Sequence, residues 1–338
     1  MNFKWAGKRV LQGMFTAYLV ITFTFVLIRR MPGGPVEYLR AQLITSQGSL
    51  TQQERERLQQ LAETYVNINP DKPLWQQYIE YMGSIVQGDL GHSIWYNQPV
   101  ADLIAEAMPW TLLVTASSIL LSFAIGISIG AWMAYNEGNT IDVGLSSFAT
   151  FLTSIPYYVI GVLAVYILAY QLGWFPTSGY NSGEIEASIS VAYISDVLYH
   201  AALPIISFTI PAAFGQSLTM RGNSVRIMGE DYLRVASLRG LSNTRIALHY
   251  VGRNAILPMY TNFLLAIGTV FGGAVILEEI FTYRGAGLLL LKAINNRDYP
   301  LMMGMFLIIT IGVICGMIIA DLTYGKLDPR IESGEGGR

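Results

Sequence analysis

The chain has 338 residues, 52% hydrophobic and only 13% charged, with mean hydropathy +0.42 and a formal charge of −2. Soluble domains carry about a quarter charged residues, so the composition argues against an ordinary soluble protein, and no nucleic-acid partner is expected. The single cysteine, Cys315, excludes a disulfide within the chain.

No charge falls between Glu106 and Glu137, Asp142 and Glu184, Asp196 and Arg221, Arg253 and Glu278, or Asp298 and Asp321. Each interval can house the ~20 apolar residues that cross a bilayer. With Val10–Ile28 these make about six spans, so the sequence predicts an all-α polytopic membrane protein. The first span is longer than a signal-peptide core, and Arg29-Arg30 stands where a small-residue cleavage site would be, so an uncleaved span is expected. Lys4, Lys8 and Arg9 precede it, and Arg221, Arg226, Arg234, Arg239, Arg245 and Arg253 lie between the fourth and fifth spans. The loop Gln171–Tyr199 has no Lys or Arg. Positive residues stay inside, which predicts cytoplasmic N- and C-termini. Tyr135–Gly144 lends no support, and Arg284, Lys292 and Arg297 run against the rule.

Residues 1–28 thus form the cytoplasmic N-terminus and first span, 29–108 a small extracytoplasmic helical subdomain, 109–330 a five-span core with a cytoplasmic loop at 221–258, and 331–338 a polar tail. Within 29–108, Thr51 to Glu54 is a capping box ahead of Leu58, Leu61, Ala62 and Tyr65. Trp75, Tyr78, Ile79 and Met82 form a second stripe, and both helices are expected to pack on each other and on the membrane part. A short helix enters the second span at Pro109-Trp110. That span holds Gly126 and Gly130, a small-residue face expected to pack within the chain rather than dimerise. Pro156, Pro204 and Pro211 permit kinks. Gly268, Gly272 and Gly273 predict a close-packing face on the fifth span.

Asp231–Pro258 reads as helix, break and helix. Tyr232, Val235 and Ala236 fall on one narrow face, with Arg239 one turn on. Gly240 can close the first helix in the left-handed conformation. Ser242 is a candidate N-cap for a second helix whose Ile246, Tyr250, Val251 and Leu257 recur at helical spacing and which Pro258 limits. On periodicity alone the plainer reading is a basic loop that only fixes topology.

Ala236, Gly240 and Leu257-Pro258 fall where the "EAA" loop of ABC importer permeases has its second Ala, its Gly and its closing Leu-Pro. Arg234 and Val235 replace the family's Glu and Ala and the spacer is longer, as in the dipeptide and oligopeptide branch. Gly88-Asp89-Leu90-Gly91-His92-Ser93, Glu278-Glu279-Ile280-Phe281 and Asn296-Arg297-Asp298-Tyr299-Pro300 resemble segments of that branch, and the resemblance runs from about Lys8 to about Arg330. It implies a binding-protein-dependent permease subunit in the plasma membrane. The implied partners are membrane lipid, a second related permease, cytoplasmic ABC ATPases and an extracytoplasmic solute-binding protein. The ATPase would dock on Arg234, Ala236, Arg239, Gly240, Ser242, Arg245, Leu257 and Pro258. Peptides are the default solute by resemblance; the branch also includes oligosaccharide and nickel importers.

The chain has no G-x-x-x-x-G-K-[ST] phosphate loop, so ATP is expected on a partner and no cofactor on this chain. It has no H-E-x-x-H and no C-x-x-C, and His92, His200 and His249 are far apart, so no metal or catalytic set is expected. Almost no ionisable residue lies near a span centre, which argues against a proton-coupled carrier. An intramembrane enzyme or a passive channel is the alternative from another class; neither needs an ATPase partner.

Overall fold

A computed structural model describes residues 3–30, 72–242, 245–272 and 274–327. The expected capping box at Thr51, the helix behind it and the tail 331–338 lie outside the described residues. The described residues form eleven α-helices: α1 (Phe3–Arg30), α2 (Leu74–Val86), α3 (Val100–Tyr135), α4 (Thr140–Thr153), α5 (Tyr157–Ala164), α6 (Val191–Met228), α7 (Asp231–Leu238), α8 (Arg253–Thr269), α9 (Val275–Ile280), α10 (Ala286–Asn295) and α11 (Tyr299–Leu327). A π-helical run, Val165–Gln171, extends α5, and another, Ile246–Gly252, precedes α8.

Five stretches are long and apolar enough to cross a membrane: Gly7–Ile28, Val100–Tyr135, Val191–Met228, His249–Gly272 and Tyr299–Ile319. A sixth is the pair Thr140–Thr153 and Tyr157–Gln171, bent by 90°. Three contacts make that bent pair a full crossing. Asp142 meets Arg221, Gly215 lies beside Thr153, and Gly161 lies beside Ser207, so α4–α5 runs antiparallel to α6 along its length. Asn223 reaches Ala255 and Thr115 reaches Val270, which sets α8 antiparallel to both α6 and α3. Gly13 packs on Ile314 and Ile318, setting α1 against α11. With the bent pair taken as one span, the described residues hold six candidate crossings, with α7, the α3–α4 turn and both ends of the described chain at one end of the bundle. The segments 87–99, 172–190 and 274–298 gather at the other.

Proline acts differently by position. Pro156 cannot serve the Leu152 carbonyl, which accepts from the Ile155 N–H at 3.2 Å, and the helix stops and restarts at the 90° bend. Pro109, Pro204 and Pro211 sit inside unbroken helices. No separate entry helix precedes Pro109: α3 is continuous from Val100. At ~1.5 Å per residue the 36 residues of α3 and 38 of α6 far exceed the ~30 Å hydrocarbon core, so both helices project beyond it.

The tightest helix contact is between α3 and α6. An added Cβ on Gly126 would meet Gln216 Cβ and the Ala213 carbonyl, and one on Gly130 would collide with the Ser217 carbonyl and Met220. The small-residue face of the second span thus packs within the chain. On the fifth span the expectation fails at Gly272, beside which there is open space; the close approach belongs to Gly312 of α11, against the Phe271 ring. The α2 helix packs on α1 through Tyr78 and Tyr81, whose rings both lie 5.4 Å from Phe25. Of the predicted stripe, Tyr78 and Met82 turn inward, whereas Trp75 and Ile79 are 62% and 60% exposed, so the inward face is rotated toward Gln77 and Tyr81.

Gly130→Leu is expected to force backbone apart and lower stability by about 1–3 kcal/mol, while Gly272→Ala should stay within about 0.5 kcal/mol. Thermal unfolding of both variants in detergent measures the difference.

Candidate coupling site

The short helix α7 follows α6 after Gly229-Glu230. Leu233 and Ala236, one turn apart, are buried, whereas Tyr232 is 42% and Val235 48% exposed. The expected Tyr232–Val235–Ala236 face is therefore rotated: Leu233 takes the anchoring position. It belongs to one buried core with Ile227 and Met220 of α6, Phe123 of α3, Val251 of the π-helical run, and Ala255 and Met259 of α8. Leu257 lies off that stripe and is 43% exposed.

Gly240 ends α7 with φ +76°. Its N–H donates to the Ser237 carbonyl at 2.9 Å, and the Leu241 N–H to the Ala236 carbonyl at 3.3 Å. This is the paired bonding of a Schellman cap, which needs a residue that tolerates the left-handed conformation. Ser242 contributes through its carbonyl, which accepts from the Ile246 N–H at 3.0 Å. Arg245 is helical, with residues 243 and 244 outside the described set. Pro258 does not end the second helix, as the sequence suggested, but lies inside α8. The carbonyl it deprives of a donor belongs to the exposed Asn254, at the wet end of the helix.

The cap and the buried pair turn a mixed face outward. Arg234, Arg239, Ser242 and Arg245 are exposed, beside Tyr232, Val235 and Leu238, the last 82% exposed. Apolar surface ringed by arginine, on a short helix seated in the bundle, has the makings of a helix that docks into a groove.

Three buried carboxylates that periodicity could not single out tie the loops together. Asp142, 1% exposed, accepts from Arg221 Nε and, at 2.7 Å, from Nη2, and from the Gly138 N–H at 3.0 Å. At the other end Glu278, 2% exposed, accepts from Thr111 Oγ1 at 2.7 Å and the Leu288 N–H at 2.9 Å. It fills the space a Cβ on Gly285 would need. Asp298 accepts from Ser93 Oγ and from the N–H groups of Ile94 (3.2 Å), Trp95 (3.1 Å) and Leu301 (3.3 Å). That joins two segments more than 200 positions apart in the chain, Gly88–Ser93 and Asn296–Pro300. Thr282 and Arg297, next to these sites, hold positive φ without being glycine, a strained backbone that the surrounding bonds must sustain.

Inner membrane components of binding-protein-dependent transport systems form a family that matches residues 126–333. The chain belongs to this family. It is similar over nearly its whole length to the oligopeptide transport system permease protein AppB of Bacillus subtilis, at 32% identity over 96% of this chain and 98% of that protein. The di/tripeptide transport system permease protein DppB of Pseudomonas aeruginosa is 32% identical over 94% and 95% of the two chains. The dipeptide transport system permease protein DppB of Escherichia coli is 29% identical over 92% and 94%. This permease is thus a multi-pass membrane protein.

Burial raises the Glu278 acid above its ordinary value of 4.5, more than its hydrogen bonds lower it. A raised folded-state value stabilises the fold below the unfolded value, and that contribution is lost as pH rises through the folded value. The permease should therefore lose stability from about pH 4.5 upward, and Glu278→Gln should flatten that slope in unfolding curves taken from pH 4 to 8. Asp298→Ala leaves donors unpaired and should lower stability by about 3 kcal/mol.

Proposed function

We propose that this permease is one membrane subunit of an ATP-driven importer of dipeptides and oligopeptides, and that α7 with its Gly240 cap is the contact for a cytoplasmic ABC ATPase. The observation that carries the reading is the outward face of α7, with Val235 and Leu238 exposed among Arg234, Arg239 and Arg245 while Leu233 and Ala236 hold it to the bundle. A helix held that way passes a push into α6 instead of rotating in place. The peptide solute is inferred from the oligopeptide, di/tripeptide and dipeptide systems of the relatives.

The end carrying α7 faces the cytoplasm in this reading, because the arginines Arg226, Arg234, Arg239 and Arg245 and the Lys8-Arg9 start of α1 all lie there. The opposite end, with α2 and α10, receives solute from an extracytoplasmic binding protein. A second, related permease completes the path, and lipid covers the apolar face of α1 at Leu11, Phe15 and Phe23. ATP binds to and is hydrolysed by the partner ATPase. Closure of the ATPases moves α7 as a rigid body, and the spans switch access from one side to the other. This chain positions and moves; it breaks no bond of the solute.

Gly240→Val places a β-branched residue at φ +76°, a local strain of about 1–3 kcal/mol. The variant should insert normally yet recover little ATPase when the detergent-solubilised chain is pulled down from its own cells, and its peptide uptake should fall at least roughly tenfold, the scale of a 1.4 kcal/mol loss of coupling. Normal uptake by an assembled Gly240→Val complex would sink the assignment.

A further inference from the structure

The third span is anchored at its α7-facing end by very little. Of the 14 residues of α4, only Asp142 and Ala149 are buried. One aromatic contact, Phe148 with Phe214 at 5.2 Å, adds a mid-helix touch. The 90° break at 154–156 separates α4 from α5, so α4 is an arm joined to the rest of its span by a corner. Its first turn is tied to α6 by the two-pronged Arg221–Asp142 pair, backed by the Gly138 N–H.

Arg221 is itself rooted. Its backbone lies against Gly130 of α3, where a Cβ would stand 3.1 Å from the Arg221 nitrogen. From Arg221 the helix runs two turns to Met228, and Ile227 shares one core with Leu233 of α7. The Gly229-Glu230 turn between α6 and α7 is bridged by the core that Ile227 and Leu233 share. A displacement of α7 thus reaches Arg221 through packed helix, and Arg221 holds the first turn of α4, just after the 136–139 turn from α3, by a bidentate, directional bond.

We propose that Asp142 and Arg221 are positioning residues for transport: their clasp carries movement of the α7 hairpin into the bent third span, so that the span moves with the docked ATPase. This rests on the importer reading above. The clasp is needed for coupling, not for ATP hydrolysis as such, and not for holding the bundle together, which the α3–α6 contact does. The expected signature of its loss is hydrolysis without transport.

Removing one member would strand a charge and could harm folding, so the deciding variant removes both. Asp142→Leu/Arg221→Met replaces an ion pair whose carboxylate is buried and whose guanidinium is half-buried by apolar groups of similar volume, a change that folds often tolerate. The complex, with its ATPases and binding protein, is purified from cells in which the variant is the sole copy. Dialanine uptake by those cells is measured against ATP hydrolysis by the complex in nanodiscs, both per amount of assembled complex. We expect native recovery and near-native hydrolysis, with uptake down roughly tenfold. Arg221→Lys, which keeps the charge but gives up the fork, should transport at an intermediate rate. Native uptake by the double variant overturns the proposal; so does a loss of uptake and hydrolysis in step with lost complex, which would make the pair a folding contact. If the native complex itself shows no ATP-dependent dialanine uptake, the importer reading fails for that peptide, and uptake by the double variant then has no native rate to fall from, which also removes the proposal's basis.

Discussion

At Gly126 and Gly130 the backbone of α3 lies against the backbone of α6, with no room for a methyl group between them. Several neighbours take their places around that contact. The α4–α5 pair runs antiparallel along α6, α8 seats Ala255 and Met259 in the core that Phe123 and Met220 begin, and α7 docks its Leu233 into the same core. Two long parallel helices in contact through glycine make a stiff central pair.

Loops at both ends are tied by buried carboxylates, each in a different way. Asp142 answers a guanidinium, Glu278 answers a hydroxyl and backbone N–H groups at the start of α10, and Asp298 gathers donors from two distant segments. A buried carboxylate is tolerated only while its partners stay in place. These ties therefore favour a few discrete arrangements over continuous deformation. Glu278 and Asp298 lie opposite the end that holds α7, so each end of the bundle has its own fixed points.

Much of the fold was legible because charge is so unwelcome in hydrocarbon. The uncharged intervals marked every crossing, and the glycine pair on the second span announced a close contact. Gly240 was legible as a left-handed cap because few residues tolerate that conformation, and its φ of +76° has that origin. The hairpin's facing was not legible: Leu233, not Tyr232 or Val235, turned inward, because position around a short helix depends on the core it meets. Pro258 marks a boundary in water but not beside an apolar helix whose freed carbonyl lies at a wet end. The ties through Asp142, Glu278 and Asp298 were invisible for another reason: each pairs residues distant in sequence, and only the motif segments around Glu278 and Asp298 hinted that something was held there.

The coupling role of α7 stands or falls on whether it touches an ATPase. A photo-crosslinking residue placed at Leu238, which is 82% exposed at the end of α7, tests this in native membranes, with a lipid-facing position such as Phe23 of α1 as the control. The account predicts a crosslink from Leu238 to an ATP-binding subunit that weakens when Gly240 is replaced by valine, and none from Phe23. A Leu238 probe that labels only lipid, or that labels the ATPase no more than Phe23 does, would contradict it.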